Sequence, residues 1–222
     1  DLGDAGTLIF AGHGGSSAMS AVDDVMPTAY EEPWDVVTGS DADVIGGHSG
    51  NNMFTYKYSH DSGVNLTLAY INAADAVTDV SYSDVGISYT GVEGLTVGYA
   101  EGNVEQTALT ESDEHTLYAT YAMGALTVGV QTSEKDVSGG ATSDTESQGF
   151  GLSYQVNDDF AVSIGSHEIE YNSGDDQEST GVSASYTMGS LAIKAAMNSV
   201  DNIANTATND RSAYELGLTF NF

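Results

Sequence analysis

From Asn51 onward, apolar residues alternate with small or polar ones at a period of two, the mark of strands whose two faces meet different surroundings. In "YELGLTFNF" one face takes Tyr214, Leu216, Leu218, Phe220 and Phe222, and the other takes Glu215, Gly217, Thr219 and Asn221. In "GFGLSYQV", Phe150, Leu152, Tyr154 and Val156 stand against Gly151, Ser153 and Gln155. The split recurs in "GVSASYTM", with Val182, Ala184, Tyr186 and Met188, and in "LAIKAAM", with Leu191, Ile193, Ala195 and Met197. The pattern predicts twelve strands, over 6–12, 51–60, 64–72, 82–90, 94–103, 114–123, 125–134, 148–156, 159–170, 178–188, 190–199 and 212–222.

Most of these segments are near ten residues long. At ~3.3 Å per residue and a tilt near 40°, such a strand rises about 25 Å, the height of the apolar band of a transmembrane barrel. The connections alternate in length: "DSG", "GVEG", "GA", "ND" and "GS" are tight, whereas 73–81, 104–113, 135–147, 171–177 and 200–211 are longer and polar. A membrane barrel sorts its turns in this way, and a soluble sandwich has no reason to. The fold class expected is all-β, a transmembrane antiparallel up-and-down β-barrel forming a single domain over 1–222.

Composition narrows the partners. Against 33 Asp and Glu stand four Lys and Arg, a formal net charge of -29, which excludes a nucleic-acid backbone as partner. Cysteine is absent, so neither a disulfide framework nor thiolate chemistry is available. No run of 18 apolar residues offers a spanning helix. No basic-then-apolar leader opens the sequence, so the expectation is a cleaved leader or a missing N-terminal part.

Both prolines and the single tryptophan fall within "MPTAYEEPWD", Met26 to Asp35. Proline cannot donate to a ladder, so strands exclude it. The stretch lies in the one connection far longer than the rest, 13–50, which carries Asp23, Asp24, Glu31, Glu32, Asp35, Asp41 and Asp43 and no Lys or Arg. A segment of that length in a compact domain is functional or disordered, and two prolines and a Trp favour an ordered course.

The final phenylalanine, with apolar residues at alternate positions back to Tyr214, resembles the C-terminal recognition strand of bacterial outer-membrane proteins. "DLGDAGTLIFAGHGG", Asp1 to Gly15, resembles the strand leading into the third loop of the trimeric general diffusion porins of Gram-negative bacteria. That resemblance implies an outer-membrane homotrimer surrounded by lipid and lipopolysaccharide, passing ions and small hydrophilic solutes without a cofactor. It implies that 13–50 folds inward as a constriction loop, with Pro27 and Pro33 stiffening it and Tyr30 and Trp34 anchoring it to the wall. Eleven predicted strands follow residue 50, as in the sixteen-stranded family, so the chain maps onto the last twelve strands, and four would precede Asp1. The constriction of that family sets loop acids against arginines. Here the bases are Lys57, Lys135, Lys194 and Arg211, and Lys57 and Lys194 sit on the wet parity of their strands. The constriction set expected is therefore Asp23, Asp24, Glu31, Glu32, Asp35, Lys57 and Lys194, with a preference for cations.

Catalytic chemistry finds little support. No GxSxG elbow is present, although His60 and His115 near strand ends are raw material for a twelve-stranded outer-membrane hydrolase. The same strand pattern would also suit a substrate-specific or monomeric channel, or an adhesin barrel. The histidines His13, His48, His60, His115 and His167 show no metal-binding spacing and are expected at interfaces or in loops. Acidic pairs at 40–43, 111–114 and 173–178 could hold Ca2+ or Mg2+ through carboxylate oxygens, but solvated charge is the expectation.

Overall fold

The structure is a computed structural model that describes residues 1–23, 25–41, 44–46, 49–72, 80–106, 111–138 and 144–220. Its strands are β1 (Thr7–Ala11), β2 (Gly15–Ser16), β3 (Ser49–Gly50), β4 (Met53–Ser59), β5 (Val64–Ile71), β6 (Val80–Val92), β7 (Leu95–Gln106), β8 (Glu111–Met123), β9 (Leu126–Ser138), β10 (Thr145–Asn157), β11 (Phe160–Tyr171), β12 (Gln177–Met188), β13 (Leu191–Asp201) and β14 (Arg211–Phe220). Twelve of them form one antiparallel sheet in the order β1, β4, β5 and onward to β14. β2 and β3 make a separate two-stranded ribbon.

The twelve strands are those read from the alternation, with one systematic difference. β7 runs to Gln106 and β9 to Ser138, into connections expected to be loop, and β8 and β10 begin early at Glu111 and Thr145. The added residues are mostly polar, and those of β7 are still paired, as in Ser81↔Glu105 and Val80↔Gln106. Apolar alternation ends where lipid ends, whereas the hydrogen-bond ladder needs no apolar side chain to continue.

Burial is inverted relative to a protein folded in water. Thr116, Gln177, Ser179 and Asn198 are 0–1% exposed, whereas Tyr214, Leu216, Met188 and Met197 are 58–85% exposed. Only a solvent that is itself apolar makes that arrangement favourable. The apolar parity of the strands thus faces lipid, and the polar parity is covered from within the chain.

Residues gather into two compact units. The first comprises Asp1–Asp24, Asp43–Ala119 and Thr132–Glu146, and the second Val25–Ala42, Thr120–Gln131 and Ser147–Phe222. In the first, the ribbon pairs Gly15 with Gly50 and Ser16 with Ser49, tying both ends of the long connection together. His13 Nδ1 lies 2.6 Å from Asn51 Oδ1 beside it. Ala18 and Met19 are buried there, as are Met53, Tyr82 and Ala100 on the strands. In the second, Val37 packs with Val200 and Ile203 in a small core bordered by Ala213.

Candidate functional site

The second unit contains residues 25–41, a strap of irregular backbone lying on the polar parity of β9 to β14. That parity is rich in glycine, and the strap rests on the backbone those glycines leave bare. A Cβ at Gly129 would stand 2.5 Å from Pro27 Cδ, and one at Gly151 2.9 Å from the same atom. At Gly165 it would meet Pro33 Cγ at 2.8 Å, at Gly181 Pro33 Cα at 2.8 Å, and at Gly217 the Tyr30 hydroxyl at 3.1 Å. Real Cβ contacts avoid the shortest of these distances, so both prolines occupy room that only glycine provides. Proline also brings no N–H that would need a partner against the wall.

Serines of the same parity accept from the strap's backbone. Ala29 N and Tyr30 N donate to Ser163 Oγ and Ser183 Oγ, each at 3.0 Å, and the two hydroxyls lie 2.6 Å apart. Asn198 Nδ2 donates to the Glu32 carbonyl at 2.6 Å. Gln177 brackets Asp41, accepting from its N–H and donating to its carbonyl, both at 2.9 Å. Arg211 Nη1 donates to the Thr38 carbonyl at 3.1 Å. The Trp34 ring lies on the His167 ring with centroids 4.3 Å apart. His167 is therefore buried under the indole, not at an interface or in a loop as its sequence context suggested. The cover comes from a residue remote in sequence.

Charge converges on one stretch of the strap. Carboxylate oxygens of Glu31, Glu32 and Asp35 lie within 4.8 Å of one another, and Asp35 Oδ2 accepts from Glu32 N at 3.0 Å. Tyr30 donates its hydroxyl to Glu215 of β14, and Lys194 Nζ of β13 stands 5.1 Å from the centre of its ring. Burial raises the Glu31 pKa above the ordinary glutamate value, while the Tyr30 hydroxyl opposes the shift. The hydrogen bond to Glu215, then that to Glu31, raises Tyr30 far above a free phenol. The phenol stays a donor and the carboxylates stay acceptors.

In the first unit, Met19 N donates to Asp84 Oδ2 at 2.8 Å, and Tyr82 donates to the same oxygen at 3.1 Å. A Cβ at Gly86 would meet Ala18 Cβ at 3.0 Å, so the chain around Met19 also lies close against backbone of polar parity. Gly46 N donates to Glu114 Oε2 at 3.3 Å, and the other oxygen of Glu114 pairs with Lys135 Nζ at 2.7 Å.

Of the expected constriction set, Glu31, Glu32 and Asp35 come together, and Lys194 stands over the ring of Tyr30, the residue that precedes Glu31. Lys57 belongs to β4 in the first unit, opposite Thr7 and Thr67 and on the parity of buried Met53 and Thr55. Asp23 lies at the end of the first unit's part of the connection. Asp24, with Asp43 and His48, lies outside the described residues. The acidic pairs considered for cations include groups engaged elsewhere: Asp41 accepts from Tyr171 at 2.5 Å, Asp113 from Asn103 at 2.7 Å, and Asp176 from Tyr171 N at 3.3 Å. His60 Nδ1 sits 2.8 Å from Ser62 Oγ, and His115 Nε2 lies 3.1 Å from Glu134. Sequence reasoning missed Ser163, Ser183, Asn198 and Glu215. Their wet parity was visible, but no local signal tied them to a segment more than a hundred residues away.

The family model of the Gram-negative porins matches residues 110–222. The chain belongs to that family. This porin has the fold of solved porin barrels at low identity. It is similar to a porin refined at 1.8 Å, with a TM-score of 0.76 and 18% identity over 99% of this chain and 79% of that one. It is also similar to the anion-selective porin of Comamonas acidovorans, with a TM-score of 0.73 and 17% identity over 99% and 75%. OmpF of Salmonella typhi, solved in complex with daunomycin, gives 0.69 and 11% over 99% and 75%. No curated protein sequence matches the chain. As a Gram-negative porin, the protein is a channel of the bacterial outer membrane.

Proposed function

We propose that this porin is a passive diffusion channel for ions and small hydrophilic solutes, that it prefers cations, and that residues 13–50 fold inward as its constriction. One observation carries the reading. The strap lies on the polar parity, and in a barrel whose apolar parity meets lipid the polar parity lines the lumen. Glu31, Glu32, Asp35 and Glu215 then hold negative charge in the path of solutes, with Lys194 as the nearby base. Fixed charge in a narrow, partly desolvated passage selects by sign. The Comamonas relative is anion-selective, so a shared fold leaves the sign of selectivity to the lining residues.

Reversal potentials in planar bilayers under a salt gradient test the preference, and a clear anion preference overturns it. Deleting 20–40 from a correctly assembled protein is expected to raise single-channel current. Unchanged current would put the segment outside the lumen.

A homotrimer is part of the proposal. OmpT of Vibrio cholerae, similar to this chain with a TM-score of 0.70 and 16% identity over 98% of this chain and 77% of that one, has been solved in a trimer form. Closed symmetry is the common solution for identical subunits. The mass of the detergent-solubilised protein, with the detergent subtracted, tests it. The apolar parity then meets outer-membrane lipid and lipopolysaccharide.

A further inference from the structure

Tyr30 lies in a slot that the wall supplies. Gly217 leaves the floor bare, its missing Cβ only 3.1 Å from the phenol oxygen, and Lys194, whose Cα pairs with that of Gly217, stands over the ring. Glu215, two residues from Gly217 on the same parity, accepts the hydroxyl. A wall carboxylate is thereby joined through the Tyr30 hydroxyl to the stretch of strap that carries Glu31, Glu32 and Asp35. All of these residues belong to the second unit.

We infer that Glu215 and Lys194 are an opposed pair of selectivity-determining wall residues, and that Tyr30 is the positioning residue that holds the strap acids against them. The inference rests on the lumenal reading of the strap proposed above. Glu215 adds to the field that draws cations, and Lys194 subtracts from it. The two therefore have effects of opposite sign, which no loss of structure would produce. Tyr30 carries no charge, so its hydroxyl acts only by fixing where the charges stand.

The test compares Glu215→Gln, Lys194→Gln and Tyr30→Phe in the full chain, each reconstituted in planar bilayers with a potassium chloride gradient. Glu215→Gln keeps an acceptor for Tyr30 while removing charge, and is expected to lower the cation-to-anion permeability ratio about two-fold. Lys194→Gln is expected to raise it by a similar factor. Tyr30→Phe keeps every charge but frees the strap acids from the wall, and is expected to lower the ratio by less than Glu215→Gln does while broadening its pH dependence and increasing open-channel noise; a ratio, pH profile and noise equal to the parent's overturn the positioning role. Equal ratios in the Glu215 and Lys194 variants, or shifts of the same sign, overturn the inference. Glu31→Gln with Asp35→Asn separates the two readings. If that variant shifts selectivity and the wall variants do not, the wall assignment alone is wrong. If none of the variants moves selectivity or current, the lumenal position of the strap is wrong.

Discussion

The indole of Trp34 lies on the imidazole of His167, ring centroids 4.3 Å apart and planes inclined by 49°. Trp34 is the only tryptophan, so the intrinsic fluorescence above the tyrosine background reports strap docking alone. Replacing His167 by alanine removes the surface under the indole. The expected result is a red-shifted emission maximum and stronger acrylamide quenching, with far-ultraviolet circular dichroism unchanged. The loss in docking is of order 1 kcal/mol, the scale of an aromatic pair. An unshifted emission would mean that the indole is held by the rest of the strap and not by His167.

The glycine bed makes a second expectation. Alanine at Gly181 places a methyl group 2.8 Å from Pro33 Cα and 2.9 Å from Asn198 Oδ1, so the strap must move. Overpacking of this kind costs about 1–3 kcal/mol. Limited proteolysis should cut the strap of Gly181→Ala faster than that of the parent, and single-channel currents should become more variable. Gly46, whose Cβ would meet nothing within 4 Å, is the control, and its alanine variant should match the parent in both assays.

Acid should act on the strap through Glu31. Burial raises its pKa above the ordinary 4.5, so it takes up a proton at a higher pH than an exposed glutamate would. Under the proposed cation preference, its share is present above that raised pKa and is lost as pH falls through it. The stability sign runs the other way: the cost of holding this carboxylate charged in the folded state is present above the folded pKa and is relieved below it. Mild acid should therefore weaken selectivity without undocking the strap. Reversal potentials and Trp34 emission measured on one pH series check both halves. Glu31→Gln should remove the Glu31 step of the selectivity curve and leave the others.

In the first unit, the carboxylate of Glu114 is 5% exposed and its charge partner is Lys135, which is one-third exposed. Lys135→Met leaves that buried carboxylate beside the Gly46 N–H without its countercharge, and is expected to destabilise the protein by about 1–3 kcal/mol. Removing both charges in Glu114→Gln/Lys135→Met should recover most of the loss. Urea titrations of the protein folded into lipid vesicles measure the difference, and no recovery in the double variant would mean that Lys135 acts through its aliphatic stem.

The sheet was legible because lipid imposes a strict alternation. "YELGLTFNF" reads as β14 without any knowledge of its neighbours, since Tyr214, Leu216, Leu218 and Phe220 must share one face. The polar extensions of β7 and β9 were not legible, because beyond the lipid nothing forces a side chain to be apolar. The strap was legible as an exception, through its prolines and acids. Its landing place was not: Ser163 and Ser183 look like any small wet-face residues until Ala29 and Tyr30 are seen to donate to them, 134 and 153 residues away. Glu215 is the clearest case. Its parity was plain, but its partner Tyr30 lies 185 residues earlier, and a pattern read along the chain carries no information about pairing across that distance.

The glycines under Pro27 and Pro33 have a mechanical consequence. Side chains change rotamer on fast timescales, and a strap resting on long side chains would inherit their jitter. Here the prolines bear directly on main chain held in hydrogen-bonded ladders, which leaves the strap fewer ways to move. If the strap narrows the lumen as proposed, a solute squeezing past it should meet a nearly fixed aperture rather than a yielding gate. The size cutoff should then be sharp and should change little with temperature over the range in which the sheet stays folded.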